Sequence, residues 1–276
     1  MEITELIKKA TQIRRHIVAM IGPNQRGHYG GSLSAADIVT ALYFQELNID
    51  PTNPSWPERD RFLFSKGHSV LAQYAALAEA GFFPVAELST LKNLGSRLQG
   101  HPELITPGVE AVTGSLGQGL SIACGMAAAF KLDRHFGRVY VILGDGEHAE
   151  GQVWEAAQTA VNLKLDNLCA IVDMNGLQAT GSCDSIFPLG WLQNKYEAFG
   201  WHTIHIATSS MHAICEAFTL ARSEKGRPTV ILARTIKGKG VLFTEGVPAF
   251  HNGAMTTEQH SMALQMLDAQ IAGATI

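Results

Sequence analysis

The segment "RVYVILGDGEHAEGQVWEAA", residues 138–157, contains an apolar run, a turn with two glycines and the start of a helical pattern. The run at 139–143 has no polar alternation, which is typical of a parallel strand that helices cover on both faces. Gly144 and Gly146 permit a tight turn, and the helix that follows offers free N–H groups and the positive end of its dipole. The segment therefore predicts a ligand-binding turn at the carboxyl end of a buried strand.

Short apolar or β-branched runs recur along the chain and alternate with longer helical patterns. We expect two helices around a glycine-rich turn in roughly the first 60 residues, and a last helix over 256–272. This alternation predicts an α/β fold, a doubly wound parallel sheet with helices on both faces. The predicted strands are "RFLFS" (61–65), "VYVIL" (139–143), "LCAIVDM" (168–174), "WHTIHIA" (201–207) and "TVILART" (229–235).

Composition predicts one globular domain over residues 1–276, because 46% of the residues are hydrophobic, 17% are charged and no linker-like stretch interrupts the chain. The net charge of -4 and the scattered lysines and arginines argue against nucleic acid or an anionic membrane as a partner. No apolar run approaches the roughly 20 residues of a membrane span, and the start lacks the apolar block of a signal peptide. We therefore expect a cytoplasmic protein.

The four cysteines are widely spaced and form no CxxC pair, which favours free thiols in a reducing compartment. Three lie in apolar helix or strand patterns and are expected to be buried: Cys124, Cys169 and Cys215. Exposure is open only for Cys183, in the loop-like "ATGSCDS", and a reactive role is not favoured even there.

Polar segments that contain glycine follow four of the predicted strands. They are "SKGHS" (65–69), "GDGEHAEG" (144–151), "NGLQ" (175–178) and "RTIKGKG" (234–240). In an open parallel sheet ligands bind at the carboxyl ends of the strands, so these segments form the candidate site.

The acids of the "GDGEHAEG" turn predict a divalent cation. Asp145, Glu147 and Glu150 would repel a phosphate unless a hard cation neutralised them. One helix and one strand separate this turn from Asn175, so the two side chains can lie at neighbouring strand ends and share an ion with the Leu177 carbonyl. A "GDG" alone is also compatible with a simple turn capped by its Asp.

Four histidines lie in glycine-flanked loops, where an imidazole can reach a cleft and move protons near neutral pH. They are His28, His68, His101 and His251. The lysines are open to two interpretations: Lys66, Lys237 and Lys239 can be solvated, or the two that bracket Gly238 can hold an anion. The role of His148 is also open.

Six motifs in order resemble the diphosphate-binding half of transketolase. They are "SKGH", "GHPE", "TGSLGQG", "GDGEHAEGQVWEAA", "DMNGLQ" and "RTIKGKG", the last followed by His251. The resemblance covers nearly the whole chain and implies the thiamin-diphosphate-binding fold. Met174 stands where the family commonly has Asn, and "QATGSCDS" departs from the family's usual loop.

By this resemblance the cofactor is thiamine diphosphate with Mg²⁺ or Ca²⁺, and the metal ligands are Asp145, Asn175 and the Leu177 carbonyl. Leu116 is implied to pack on the aminopyrimidine, and His28 and His101 to contact the ketose as catalytic residues. The remaining implied cofactor-binding residues are His68, Ser115, Gly146, Glu147, Lys237 and His251.

The implied reaction transfers a two-carbon ketol unit from a ketose to an aldose. The family's pyrimidine-binding domain, with its catalytic Glu, has no counterpart here, so the resemblance implies a split enzyme completed by a second, C-terminal subunit in an α2β2 assembly. Glu150 is implied to reach across that interface as a third catalytic residue. Pentose-phosphate sugars are the default substrates, and a sulfo-sugar stays open.

Two alternatives to a transketolase subunit stay open. The chain can be a subunit of another thiamine-diphosphate enzyme, similar to deoxyxylulose-phosphate synthase or to a 2-oxoacid dehydrogenase, since both use a GDG and Asn cofactor site. It can also be a non-catalytic module that binds Mg-diphosphate, but His28, His101 and Glu150 are not needed for that alone.

Overall fold

The computed structural model describes residues 1–188, 190–207 and 210–273. Residues 274–276 of the predicted domain therefore lie outside the described part. Its helices are α1 (Ile3–Ile21), α2 (Tyr29–Ala41), α3 (Val70–Ala80), α4 (Gln118–Leu132), α5 (Gly151–Asn162), α6 (Cys183–Ile186), α7 (Leu192–Phe199), α8 (Met211–Ser223) and α9 (Thr257–Ile271). Its strands are β1 (Arg26–Gly27), β2 (Arg61–Phe64), β3 (Val139–Gly144), β4 (Leu168–Met174), β5 (His202–Ile206), β6 (Thr229–Arg234) and β7 (Gly253–Ala254).

The main sheet has five strands in the order β2-β3-β4-β6-β5, and every neighbouring pair is parallel. This confirms the predicted doubly wound sheet and each predicted strand. Gly144 of β3 lies opposite Asp173 of β4. The turns that follow β3 and β4 therefore lie side by side at the carboxyl edge, where the sequence predicts the ligand.

Both faces of the sheet are covered, as the continuous apolar strands require. On one face, Tyr140 and Ile142 of β3 pack into a core shared with α1, α2, α3 and α8. On the other face, Val141 and Leu143 pack against α4, α5 and α7. Burial on both faces fixes the register of β3, because a slip by one residue would exchange its two sets of side chains.

Two short strands that the sequence does not predict tie the chain's beginning to its end. β1 and β7 pair antiparallel, with Arg26 opposite Ala254 and Gly27 opposite Gly253. Two-residue strands carry no periodicity, so no pattern indicates them. This pairing brings the loops of His28 and His251 together.

Cys183, for which the sequence leaves exposure open, is buried. Cys183 begins α6, whose first turn is capped by the Ser182 hydroxyl, and its exposed fraction is 6%. Cys215, expected to be buried, is only partly so. None of the described helices is long and apolar enough to cross a lipid bilayer.

Candidate functional site

A cavity of about 330 Å³ opens at the carboxyl edge of the sheet, and we call it the central cavity. Its walls come from the segments after β2, β3, β4 and β6, together with the loops of His28 and His101. All but two of the predicted site residues line it: His28, His68, His101, Leu116, Asp145, Gly146, Glu147, Asn175, Leu177, Lys237 and His251. The two that do not line it are Ser115 and Glu150.

Three oxygen-bearing groups suited to a hard cation lie together in the wall of the central cavity. The Asp145 carboxylate accepts hydrogen bonds from the Gly146 N–H at 2.8 Å and the Gly176 N–H at 2.5 Å. The Asn175 amide oxygen accepts from the Leu177 N–H at 3.2 Å, and Leu177 lines the same cavity, with its carbonyl accepting from the Lys237 ammonium at 2.7 Å. Burial raises the pKa of Asp145, and a bound cation would favour its ionised form.

No cluster of three or more His, Cys, Asp or Glu side chains in the described ranges is arranged to hold a metal ion. A cation in the central cavity would therefore depend on mixed carboxylate, amide and carbonyl oxygens. That is the donor set that Mg²⁺ and Ca²⁺ prefer, with ligand oxygens and water completing the coordination.

The Glu147 carboxylate joins three loops beneath the central cavity. It accepts hydrogen bonds from the Ser65 hydroxyl, from the Gly117 N–H at 2.8 Å and from the Gly144 N–H at 3.0 Å. Only 3% of the residue is exposed, and burial raises its pKa. Glu147 lines the cavity as the sequence predicts, but its carboxylate is committed to fixing the cavity walls.

The four loop histidines form one cluster. The ring centroid of His28 lies 4.9 Å from that of His68, 5.7 Å from that of His251 and 6.3 Å from that of His101. The pKa of His28 is lowered to about 4, mainly by burial and secondly by the neighbouring His101. The pKa of His251 is also lowered to about 4, mainly by burial and secondly by the Lys237 ammonium. These two imidazoles are therefore neutral at pH 7, each with one donor and one acceptor nitrogen.

Lys237 reaches the centre of the site. Its ammonium donates to the Leu177 carbonyl at 2.7 Å and lies 2.9 Å from His251 Nδ1. The pKa of Lys237 is lowered to about 8, mainly by burial and secondly by the positive charge of Lys66. Lys239, the second lysine of the "RTIKGKG" segment, instead forms an ion pair with Asp37 at 2.7 Å.

Lys66 is not a solvated lysine, so that interpretation of it was wrong. Its exposed fraction is 3%, and its ammonium forms an ion pair with the fully buried Asp173. The Asp173 carboxylate also accepts hydrogen bonds from the Ser34 hydroxyl at 2.5 Å and from the Thr235 hydroxyl. Burial opposes ionisation of Asp173, but the Lys66 ammonium holds its pKa below the ordinary value. Asp173 is not among the predicted site residues, because it lies near the end of an apolar strand pattern. The one signal for it in the sequence is an acid directly after the apolar run "LCAIV".

His148, whose role was open, is a buried neutral histidine. Its Nδ1 lies 2.9 Å from the Gly144 carbonyl, which can only accept, so Nδ1 carries the proton. Its Nε2 then accepts from the Tyr196 hydroxyl at 2.9 Å. Burial lowers the pKa of His148 to about 4.

The chain is expected to lose stability through His148 as the pH falls. An unfolded histidine binds a proton near pH 6.5, whereas the folded His148 does so near pH 4. Its contribution is therefore complete above the unfolded pKa and is lost as the pH falls from 6.5 towards 4. The expected loss between about pH 7.5 and about pH 5 is ~2 kcal/mol. Urea unfolding of the wild type and His148→Gln at both pH values measures it, and an equal pH dependence of the two proteins would contradict it.

Ser115 and Glu150 lie outside the central cavity and are exposed. Glu150 precedes α5, and its side chain abuts the loop before α4: a Cβ built on Gly117 would lie 2.7 Å from the Glu150 Cβ. The Glu150 carboxylate makes no capping hydrogen bond to α5. It is therefore free to meet a group from outside the described chain.

Comparison with known proteins gives consistent matches. The family described as "Transketolase, thiamine diphosphate binding domain" matches residues 7–269. The chain is 45% identical to the 6-deoxy-6-sulfo-D-fructose transketolase subunit SqwG of Clostridium sp. (strain MSTE9), over 96% of both chains. It is 38% identical to an apulose-4-phosphate transketolase subunit of Phocaeicola vulgatus, over 98% of this chain and 96% of that one.

Solved structures match the fold as well. A transketolase mutant from Pichia stipitis superposes with a TM-score of 0.87 at 28% identity, over 98% of this chain and 41% of that one. The transketolase of Campylobacter jejuni superposes with a TM-score of 0.85 at 28% identity, over 99% of this chain and 48% of that one.

Proposed function

The chain belongs to the transketolase family, as a transferase subunit with the thiamine-diphosphate-binding domain, and from this premise we propose its cofactor, partner and substrates. It acts as the N-terminal subunit of a two-chain enzyme that transfers a two-carbon ketol unit from a ketose to an aldose. The observation that carries this proposal is the central cavity, in which cation-binding oxygens and a cluster of histidines meet.

The central cavity fits thiamine diphosphate with Mg²⁺ or Ca²⁺. Its volume lies in the range of cofactor sites. Two glycines in its wall have no room for a side chain. A Cβ on Gly146 would lie 2.8 Å from the Gln178 Cγ, and one on Gly114 would lie 2.8 Å from the His101 ring. Asp145, Asn175 and the Leu177 carbonyl would hold the metal. The diphosphate would lie along His68, Gly146, Glu147, Lys237 and His251, with Leu116 towards the aminopyrimidine. Ser115, also proposed to bind the cofactor, lies outside the cavity lining.

When bound, thiamine diphosphate supplies the electron sink for cleavage and formation of the carbon–carbon bond. The chain's own residues bind, orient and move protons. His28 is neutral at pH 7 and can both donate to and accept from a ketose hydroxyl. His101 also lines the central cavity, and its ring centroid lies 6.3 Å from that of His28. The two imidazoles can therefore contact one substrate molecule.

Replacing His101 tests this substrate role. We expect His101→Ala, assembled with the partner protein, to lower kcat/KM about 10²- to 10⁴-fold, because proton transfer at a ketose hydroxyl loses its general acid and base. Thiamine diphosphate affinity should change little. The exposed His212→Ala serves as the matched control. Turnover of His101→Ala at the wild-type rate would count against the role.

We propose that the partner is a C-terminal subunit with a pyrimidine-binding domain and the catalytic Glu, in an α2β2 assembly. Two relatives that this chain matches over 96% of their length are themselves named as subunits. Glu150, exposed beside the Gly117 loop, would face the partner's Glu. We further propose that the chain forms a single domain over 1–276, and that it is cytoplasmic, in keeping with its free thiols.

The substrates we propose are ketoses with a terminal anionic group. One relative is named for a 6-sulfo ketose and another for a 4-phosphate, so the shared feature is an anion on the sugar. A donor panel tests this with the assembled enzyme and a fixed aldose acceptor: 6-deoxy-6-sulfofructose, fructose 6-phosphate, unmodified fructose and pyruvate. We expect ketol transfer from an anionic ketose and none from pyruvate.

Other outcomes of the panel identify the alternatives. Turnover of pyruvate alone would favour an enzyme similar to deoxyxylulose-phosphate synthase or to a 2-oxoacid dehydrogenase. Cofactor binding without turnover of any donor would favour a non-catalytic module.

A further inference from the structure

Gln178 occupies a fixed place in the wall of the central cavity. Its backbone N–H donates to the Gly181 carbonyl at 2.8 Å, and Leu177 and Ser182 form an isolated bridge around it. Its side chain lies across Gly146: a Cβ built on that glycine would be 2.8 Å from the Gln178 Cγ and 3.1 Å from its Cδ. The backbone of the "GDG" turn thus holds the amide at the cavity wall.

The Gln178 amide has a donor without a strong acceptor. Its Nε2 is buried and makes no hydrogen bond of ordinary geometry with a group of the described residues; the Cys183 sulfur beside it is a weak acceptor. A buried donor without a partner costs about 1–3 kcal/mol. Such a group in a cavity wall indicates an acceptor that belongs in the cavity.

The neighbouring groups of the chain do not supply that acceptor. The Asp145 carboxylate accepts hydrogen bonds from the Gly146 and Gly176 N–H groups and not from Gln178. The Cys183 sulfur interacts with the Gln178 amide, but sulfur is only a weak acceptor. The Leu177 carbonyl accepts from Lys237.

We propose that Gln178 is a cofactor-binding residue whose amide donates a hydrogen bond to a diphosphate oxygen. This inference rests on the proposed function, because it takes the ligand of the central cavity to be Mg²⁺ and a diphosphate. The Lys237 ammonium in the same cavity favours an anion there, and diphosphate oxygens are acceptors without protons to donate. Gln178 adds a neutral donor on the side of the "GDG" turn.

The test compares ligand affinity with stability of the ligand-free chain. Gln178→Met keeps the length of the side chain and removes the donor. Calorimetric titration with inorganic pyrophosphate and Mg²⁺, and with thiamine diphosphate and Mg²⁺, should show affinity about 10- to 100-fold weaker for both ligands. The Tm of the ligand-free variant should equal or exceed that of the wild type, because the unpaired donor is gone. Gln158→Met on α5, at an exposed position, is the matched control and should change neither quantity.

The outcomes separate this inference from the proposed function. Wild-type binding with unchanged affinity of Gln178→Met would overturn the role of Gln178 and leave the proposed function standing. Weaker binding with a clearly lower Tm of the ligand-free variant would mean that Gln178 only supports the fold, which also overturns it. A wild type that binds neither ligand would overturn both.

Discussion

Asp145→Asn is expected to weaken Mg²⁺-dependent binding of thiamine diphosphate at least about 100-fold, or about 2.8 kcal/mol. The substitution keeps the shape of the side chain and one oxygen that can accept from the Gly146 N–H, while the new NH2 group faces the Gly176 N–H and loses that hydrogen bond. It removes the only carboxylate among the three groups proposed to hold the metal. A neutral amide cannot offset the charge of the cation, so the metal and the diphosphate that it neutralises are lost together.

Calorimetric titration with thiamine diphosphate at a fixed Mg²⁺ concentration measures this effect. Glu155→Gln is the matched control, because Glu155 is an exposed acid on α5, the helix that follows the same turn. Affinity of Asp145→Asn within about threefold of the wild type, which is less than 1 kcal/mol, would show that Asp145 is not a metal ligand. Circular dichroism of the ligand-free variant checks that the fold is intact.

Lys66→Met is expected to lower the free energy of unfolding by about 3–5 kcal/mol, the cost of leaving a buried charge without its partner. Asp173 is fully buried, and no other cation of the described residues forms an ion pair with it. The hydroxyls of Ser34 and Thr235 remain as donors but supply no charge. Because Asp173 lies two residues before Asn175, the same loss should loosen the proposed metal site.

A second substitution distinguishes the lost pairing from a simple cavity. In Lys66→Met with Asp173→Asn, neither charge of this pair remains, and we expect a large part of the lost stability to return. Arg227→Met is the control, because its pair with Glu224 is exposed and is worth at most about 1 kcal/mol. Urea unfolding measures all four proteins. A double variant no more stable than Lys66→Met would contradict the account.

The strands and their common edge could be predicted because apolar runs without alternation are specific to a covered parallel sheet. Asp145 and Asn175 follow neighbouring strands, so topology alone places them together. The four loop histidines, far apart in sequence, meet for the same reason and because β1 pairs with β7.

Groups whose role depends on side-chain direction could not be predicted. Lys66 lies in a polar segment compatible with solvent, and only the fold shows that it turns inward to Asp173. Glu147 reads as an acid beside the ligand, yet its carboxylate accepts from three groups of the protein. Cys183 reads as a loop residue, but the cap by Ser182 forms a short helix that buries it. These contacts depend on how side chains pack in three dimensions, and the order of residue types along the sequence does not determine that packing.

The central claim is that the active site is divided between two chains. The most direct test measures ketol transfer by this purified chain, by its pyrimidine-domain partner and by their equimolar mixture, each with Mg²⁺, thiamine diphosphate, an anionic ketose donor and an aldose acceptor. The account predicts turnover only in the mixture, with each chain alone inactive. Ketol transfer by this chain alone, at the rate of the mixture, would contradict it.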